Sequence, residues 1–413
     1  MIVSPMIRNN ICLNAHPAGC VKEVENQIEY VKTRNLQRGR KPGAPVSGGT
    51  HAEGKSAPLS AVLVLGCSTG YGLASRITSS FGYGATTVGV SYENPGRETK
   101  GGTPGWYNNL AFDRSAQEAG IPTVTINGDA FSDEVRALVI ESAKKLGVTF
   151  DLVIYSLASP VRKDPDTGEL YRSVLKPFGK PYSGNTVDIK SGTLSEKVID
   201  VATDDEAAQT VKVMGGEDWQ RWMTQLTEAG VLARGCTTVA YSYIGPELSH
   251  SLYREGTIGQ AKKHLEQTAR TMNETLSKTI GGSAYVSVNK GLVTRSSAVI
   301  PVIPLYLAVL FKVMKEKGTH EGCIEQIERL YAERLYNSSS VPLDADNLIR
   351  IDDYEMADDV QQAVTAILDR LTQENLADLA DLAGYRHDFL VTGGFDVSGI
   401  DYEKDIPLDT IGA

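Results

Sequence analysis

The stretch SAVLVLGCSTGYGLASRITSSF, residues 60–81, decides how this chain folds. Its first seven residues, SAVLVLG, are almost continuously apolar, as expected of a strand covered on both faces. GYGLASRITSSF reads as the helix that follows. Between them, GCSTGYG places Gly66, Gly70 and Gly72 at the strand-to-helix turn, with Ser68 inside it. Glycine allows positive φ there and lets a pyrophosphate approach the backbone, while the helix N-terminus stabilises its charge. The spacing is G-x-x-x-G-x-G rather than the commoner G-x-G-x-x-G, and by itself a glycine-rich match also describes a simple tight turn.

Context separates those two readings. ATTVGVSYE (85–93) is a second strand, followed by the helical GWYNNLAFDRSAQEAG (105–120). PTVTINGD (122–129) is a third, followed by SDEVRALVIESAKKLG (132–147), with Ser132 as its N-cap. FDLVIYSLASP (150–160) is the fourth, and CTTVAYSYIG (236–245) and SAYVSVNKGLVT (283–294) are the fifth and sixth, each leading into a helix. Strand and helix in alternation predict an α/β protein with a parallel sheet and crossover helices. The glycine turn at its head makes that a Rossmann-type doubly wound parallel sheet and a dinucleotide site.

We read residues 1–413 as one domain, with an NAD-binding core over 58–300 and a mainly helical C-terminal part over 301–413. The segment 161–216 is too long for a plain connection, and long loops in compact domains commonly act as lids, so it is the expected substrate-binding insertion. The Gly/Pro/Ser-rich run over 38–58 predicts a surface loop.

Composition narrows the function. With 51 acidic against 41 basic residues the net charge is −10, which argues against a nucleic-acid partner. Five cysteines without a C-x-x-C suggest reduced thiols in a cytoplasm-like compartment. The longest apolar run, SSAVIPVIPLYLAVLF, is broken by Pro301 and Pro304 and predicts a buried helix, not a membrane span. The N-terminus lacks signal or transit character. We therefore expect an untargeted cytoplasmic protein, a monomer without membrane partners. The six histidines show no metal-binding spacing, and there is neither a G-x-S-x-G elbow nor a P-loop.

Ligands of such sheets bind beyond the carboxyl ends of the strands. Glu93 ends the second strand, where a carboxylate accepts the ribose hydroxyls of an adenosine and repels a 2′-phosphate, so the cofactor is read as NADH; Arg97 nearby is the residue that would favour a phosphate. Asp129 and Ala130 end the third strand beside the adenine, and Ser156, Leu157 and Ala158 end the fourth near the nicotinamide ribose.

YREGTIGQAKKHLE (253–266) supplies the chemistry. Tyr253 and Lys262 are nine residues apart, about 2.5 turns, and would face oppositely on one straight helix. Gly256 and Gly259 argue for a helix that begins near Thr257, read as its N-cap. Its apolar stripe is Ile258, Leu265, Ala269, Met272 and Leu276; Lys262 lies about 40° from Ile258 on that face, and Lys263 toward solvent. Tyr253 then folds back from an irregular segment. A phenol supported by an ammonium suits reduction of a carbonyl-conjugated substrate, in which charge develops on an oxygen.

RNNICLNAHPAGC, LGCSTGYGLASRI, GTPGWYNNLAF, GDAFSDE, YSLASPVR, KVMGGEDW, YSYIGPE, YREGTIGQAKKHLE, VNKGLVTRSSAVIP and LAGYRHDFL span nearly the whole chain. In these runs the sequence resembles the trans-2-enoyl-CoA reductases and their sisters, the FabV-type enoyl-ACP reductases, which are enlarged relatives of the short-chain dehydrogenases. Tyr-x8-Lys is specific to that family. The resemblance implies that Tyr253 is the catalytic tyrosine, Lys262 its lysine, and Tyr243 a helper at the thioester oxygen. It further implies that Tyr71 and Thr294 line the cofactor site and that Asp129 holds the adenine end. The visible departure is the loop over 38–58.

The implied reaction is NADH-dependent reduction of a trans-2-enoyl thioester carried by CoA or by acyl carrier protein, with neither metal nor flavin. An NAD(H)-sensing regulator without catalysis is the reading from another class. Ile303, Leu307 and Phe311 recur every four residues on one helix face; as the end of an acyl pocket they would favour short chains. Arg162, Lys163, Arg172, Lys176 and Lys180 of the insertion are candidates to meet CoA phosphates, or simply a solvated basic loop.

Overall fold

Seven strands make the central sheet: β1 Ala61–Leu65, β2 Thr86–Ser91, β3 Thr123–Asn127, β4 Phe150–Tyr155, β5 Leu232–Ser242, β6 Ser283–Val288 and β7 Leu348–Arg350. Every pairing is parallel, and the order across the sheet is β7-β6-β5-β4-β1-β2-β3. The chain winds outward from β1 to β3, then returns to pair β4 against the other side of β1, so the topological switch lies between β1 and β4. The computed structural model describes residues 1–8, 11–39, 47–50, 56–295, 297, 300, 302–337 and 340–411.

β1 shows why the sheet is central. All five of its residues are buried. Ala61, Leu63 and Leu65 face a layer that includes Trp219, Trp222, Leu265 and Met272. Val62 and Val64 face the opposite layer, with Val24, Ile28, Phe112 and Tyr331. A period of two with both faces apolar needs helices on both sides. Helices Gly70–Ile77, Pro104–Glu118, Asp133–Leu146 and Thr257–Thr279 follow β1, β2, β3 and β5. Ser132 caps the third of these, its hydroxyl accepting the Val135 N–H at 3.2 Å.

Three expectations need correcting or bounding. The C-terminal part, expected to be mainly helical, also adds a strand, Leu348–Arg350, to the sheet edge beside β6. β6 leads into an irregular stretch rather than directly into a helix; the next helix, Ile303–Lys317, buries eleven of its 15 residues. The loop expected over 38–58 lies partly outside the described residues, as does Pro301; its described parts pair as short antiparallel strands, Ser47–Thr50 with Ser56–Pro58.

The insertion consists of two antiparallel hairpins and a helix. Val161–Lys163 pairs with Leu170–Arg172, and Tyr182–Asp188 with Thr193–Ile199. Helix Asp204–Met214 follows, opened by a reciprocal capping box between Thr203 and Glu206. Val187 of the second hairpin packs into the cluster that contains Leu252, Tyr253 and the Ile303–Lys317 helix.

A buried ion pair ties the next helix, Glu217–Glu228, to the sheet. Asp218 accepts hydrogen bonds from Arg136 and, at 3.0 Å, from the Tyr155 hydroxyl at the end of β4. Both charged side chains are essentially fully buried. Asp218→Ala removes the buried partner of the guanidinium and leaves it only the half-exposed Asp133 and the Phe131 carbonyl, so urea unfolding is expected to show a loss of about 3 kcal/mol. The double variant Arg136→Met/Asp218→Leu should recover most of that loss, because two apolar groups leave no charge unpaired.

Candidate active site

The glycine loop is built by contacts that exclude side chains. Gly66 follows β1 at φ +86° and Gly70 opens the next helix at φ +54°. A Cβ on Gly66 would sit 2.4 Å from the Ser156 carbonyl oxygen, and one on Gly72 1.8 Å from the Gly66 carbonyl oxygen. Thr69, the N-cap of helix Gly70–Ile77, makes no side-chain cap bond. The helix amides and bare backbone therefore point out of the switch point, a fit for the pyrophosphate of a dinucleotide. Thr294 approaches the same loop, its methyl 3.6 Å from where a Gly70 Cβ would lie.

The remaining cofactor candidates fall along the carboxyl edge of the sheet. Ser68 donates to Glu93 at 2.6 Å, which joins the loop to the end of β2. The Glu93 N–H donates to the Asn127 side chain at 2.7 Å, and Arg295 stands 3.8 Å from its other oxygen. Arg97 is exposed and its backbone pairs with Lys100. Asp129 accepts the Phe131 N–H at 2.9 Å, and the Ala130 carbonyl is held by the Trp222 indole at 3.0 Å. The Ser156 N–H donates to the Leu65 carbonyl at 2.8 Å; Leu157 is half-buried and Ala158 exposed. Tyr71 turns its hydroxyl away from the loop, to the Lys290 carbonyl at 2.7 Å and Gln326 at 2.9 Å.

The nine-residue spacing of Tyr253 and Lys262 resolves as a fold-back. Tyr253 ends a short helical turn, His250–Tyr253, and helix Thr257–Thr279 starts four residues later. A Cβ on Gly259 would meet the Arg254 carbonyl oxygen at 2.2 Å, so glycine lets the turn lie against the helix. Arg254 then pairs with Glu266 at 2.6 Å. Glu266 is one turn beyond Lys262 and shares its face, so the ion pair pulls the tyrosine segment onto the lysine side. Thr257 is not the N-cap. Gly256 is, and Thr257 is the first helical residue: its hydroxyl donates to the Val174 carbonyl at 2.5 Å, while its N–H donates to the Lys176 carbonyl at 3.0 Å.

Tyr253 is buried, which pushes its hydroxyl above the usual tyrosine pKa. That hydroxyl has no hydrogen bond among the described residues. Lys262 is half-buried and Lys263 exposed. Burial pushes the Lys262 ammonium down to about 8, against the weaker pull of Glu266. Tyr243, from the end of β5, meets Tyr253 edge-on with ring centroids 5.2 Å apart.

The acyl-pocket candidates divide. Ile303, Leu307 and Phe311 are all buried in the same cluster as Tyr253. Leu307 comes nearest the chemistry, since a Cβ on Gly291 would touch both its Cδ2 (3.0 Å) and the Tyr243 hydroxyl (3.2 Å). Phe311 instead lies under the Lys290 ammonium, 4.7 Å from its ring centroid. Among the basic residues of the insertion, Arg162 is buried against Glu217 and the Lys212 carbonyl, and Lys176 is paired with Glu206. Lys163, Arg172 and Lys180 are exposed.

Two charged residues were missed from the sequence. Lys290, just after β6, is 2% exposed and pushed down to about 8 by burial. Glu355 is fully buried and accepts the Tyr243 hydroxyl at 3.1 Å. The lysine in VNKG had a visible signal, directly at a strand end. The acidic run IDDYEM, in contrast, reads as a solvated loop.

Three family models match the chain. Residues 2–98 match the NAD(P)H binding domain of trans-2-enoyl-CoA reductase, and residues 100–336 the trans-2-enoyl-CoA reductase catalytic region. Residues 343–406 match a model described as the enoyl reductase FAD binding domain. The chain is 63% identical to the trans-2-enoyl-CoA reductase [NADH] of Treponema denticola, over 98% of each chain. It is 52% identical to the enoyl-[acyl-carrier-protein] reductase [NADH] of Flavobacterium johnsoniae, over 98% of this chain and 97% of that one. The crystal structure of the Treponema denticola enzyme in complex with NAD superposes with a TM-score of 0.91 at 62% identity, covering 98% of both chains.

The described residues of 343–406 do not fit a flavin. They supply β7, the Glu355 loop and helices whose Val360, Val364, Tyr385 and Phe389 are buried in the core around Ile303–Lys317. The glycines there, Gly384, Gly393, Gly394 and Gly399, lie in or after the last helix, and none forms a strand-to-helix phosphate turn.

Lys262 gives a signed prediction. Its folded pKa of about 8 lies below the unfolded value of about 10.4, so between those limits the unfolded chain binds the extra proton. Stability should therefore rise with pH through that window. Lys262→Met should abolish that rise and unfold later than the unmodified protein at about pH 7, as read by urea unfolding at several pH values.

Proposed function

The chain belongs to the trans-2-enoyl-CoA reductase family, and from that premise we propose that it reduces trans-2-enoyl-CoA to acyl-CoA with NADH. One observation carries the reading: Tyr243 and Tyr253 meet edge-on at the carboxyl end of β5, on the same edge of the sheet as the glycine loop. Bound NADH supplies a hydride to the β-carbon of the enoyl group.

The residues Gly66, Ser68, Gly70, Gly72 and Glu93 hold that cofactor, with Asp129, Ala130, Ser156, Leu157 and Ala158 further along the edge. Tyr71 and Thr294 brace the loop that carries it. When the β-carbon is reduced, negative charge develops on the thioester oxygen. Tyr253 donates its free hydroxyl hydrogen to that oxygen, and Tyr243 assists from beside it. Lys262 places a positive charge on the same face and orients the cofactor's ribose; its lowered pKa confines this help to pH values below about 8. The enolate, held by the Tyr253 hydrogen bond, then takes a proton from solvent water at the α-carbon, which completes the saturated thioester.

CoA as carrier is supported by the 63% identity to an enzyme named for CoA thioesters. Acyl carrier protein is the second reading, supported by relatives at 52% identity named for it. The insertion suits the role of lid, because its Val174–Lys176 strip is bonded to Thr257 at the start of the lysine helix and Val187 packs in the Tyr253 cluster. Leu307, with Ile303 one turn before it, closes the acyl end and favours short chains such as crotonyl, while Phe311 lies one turn further on, under Lys290. Five free thiols and the acidic charge support a cytoplasmic setting.

NADH oxidation with crotonyl-CoA, longer enoyl-CoAs and an enoyl-acyl carrier protein separates these claims. The expected order is crotonyl-CoA fastest; equal rates on crotonyl- and dodecenoyl-CoA refute the short pocket, and a faster enoyl-acyl carrier protein reverses the carrier. Tyr253→Phe should lower kcat by at least about 100-fold, the scale of a lost transition-state donor, while NADH affinity by fluorescence titration stays within about 2-fold. A Tyr253→Phe enzyme with full turnover would overturn the assignment.

A further inference from the structure

Glu355 lies where three elements of the site converge. It follows β7 in IDDYEM (351–356) and has no solvent exposure. Its Oε1 accepts two phenols, Tyr243 from the end of β5 at 3.1 Å and Tyr306 from the Ile303–Lys317 helix at 2.7 Å. Its Oε2 accepts the Gly291 N–H at 2.6 Å, just after β6. Gln361 braces the far side, donating to the Glu355 carbonyl at 2.6 Å and to the Tyr306 oxygen at 3.3 Å. A Cβ on Gly291 would come within 3.4 Å of Glu355 Oε1 as well as touching Tyr243 and Leu307, so the cluster packs directly against the bare backbone of Gly291.

A phenol has one hydrogen to give. While Glu355 is ionised it accepts from both tyrosines, and Tyr243 shows the substrate only lone pairs. A protonated Glu355 donates instead, and the Tyr243 hydrogen is released to turn outward.

We propose that Glu355 is a positioning residue for Tyr243: it holds the hydroxyl beside Tyr253 and, by gaining or losing one proton, sets whether that hydroxyl is free to donate to the thioester oxygen or is committed to the carboxylate. The inference rests on the role given to Tyr243 above and adds a control to it.

The groups facing Glu355 are Tyr243, Tyr306, the Gly291 amide, Lys290 beside it, Asp352 on its own loop, and Tyr71 from the glycine-loop helix. Burial pushes the carboxyl above the usual glutamate range; Lys290, the Gly291 amide and Tyr306 oppose this, and Asp352 adds to it. The proton is thus held to higher pH than on a surface glutamate. Donation by Tyr243 is complete below the folded pKa of Glu355 and is lost as pH rises through it.

The test uses the full-length enzyme with NADH and crotonyl-CoA, with kcat and KM measured from about pH 5 to about pH 9. In Glu355→Gln the amide oxygen keeps the Gly291 N–H while the NH2 group donates to the phenols, a permanent copy of the protonated state. The ratio of kcat in Glu355→Gln to kcat in the unmodified enzyme should rise with pH by about 10-fold, with the KM for NADH steady. A ratio that stays flat overturns the proposal, since a merely structural residue shifts kcat equally at every pH. Tyr306→Phe removes a bond that favours the ionised carboxylate, so in that background the Glu355→Gln ratio should begin to rise at a higher pH, a comparison in which the titration of Lys262 cancels; an unmoved rise also overturns the proposal. Tyr253→Phe run alongside separates the two readings. If it stays active the role of Tyr253 falls, and if the unmodified enzyme does not oxidise NADH with crotonyl-CoA the proposed function falls; if the unmodified enzyme is active, Tyr253→Phe is dead and the Glu355→Gln ratio is flat, only the control by Glu355 falls.

Discussion

A backbone-on-backbone contact that no side chain tolerates holds this site together. The turn after β1 presses against the end of β4 at Gly66, and the first turn of the following helix presses against Gly66 at Gly72. Any Cβ at either position would overlap a carbonyl oxygen, so the helix axis is drawn down toward the sheet and its N-terminal amides are aimed at the switch point. Everything that touches the cofactor edge is referenced to that contact. Ser68 reaches Glu93 from the loop, Thr294 closes on Gly70, and the Tyr71 hydroxyl bolts the loop to the strand end at Lys290.

The reacting side takes its geometry from a second set of constraints, made by charges rather than by glycine. Arg254 and Glu266 lie on either side of the chain reversal, and their ion pair is partly buried where screening by water is weak. Through it the segment that carries Tyr253 is bound to the face that carries Lys262. The insertion joins the same region at Thr257, whose hydroxyl and amide both serve the Val174–Lys176 strip. A shift of the insertion would therefore be felt at the start of the lysine helix, one turn from Lys262.

Lys262 and Lys290 illustrate how burial divides similar residues into different roles. Both are pushed down to about 8 by loss of water. Lys290 has its ammonium over the Phe311 ring and a bond to the Gly291 carbonyl at 3.2 Å, which compensates its charge within the protein. Lys262 has no hydrogen-bond partner among the described residues, which leaves its charge to be shared with whatever occupies the site. The same contrast holds for Tyr306, committed to Glu355, and Tyr253, committed to nothing described.

The sequence by itself determined the six strands from β1 to β6, the glycine turn, and the choice of Lys262 over Lys263. Each of these is a local or periodic property: an apolar run of strand length, a turn that needs positive φ, a position on a helical stripe. β7 was out of reach because three residues, LIR, carry no period, and they form a strand only when the edge of β6 is there to pair with them. Thr257 misled for a related reason, since a threonine before a helix is a good cap until a distant strip claims its hydroxyl. Glu355 shows the limit most clearly. It is 112 residues from Tyr243 and 64 from Gly291, and a carboxylate in an acidic run reads as solvated until folding removes the water and leaves two phenols and an amide as its surroundings. Local pattern sufficed for the scaffold and for the inward placing of Lys262; only tertiary packing decided which hydroxyl was bound and which stayed free.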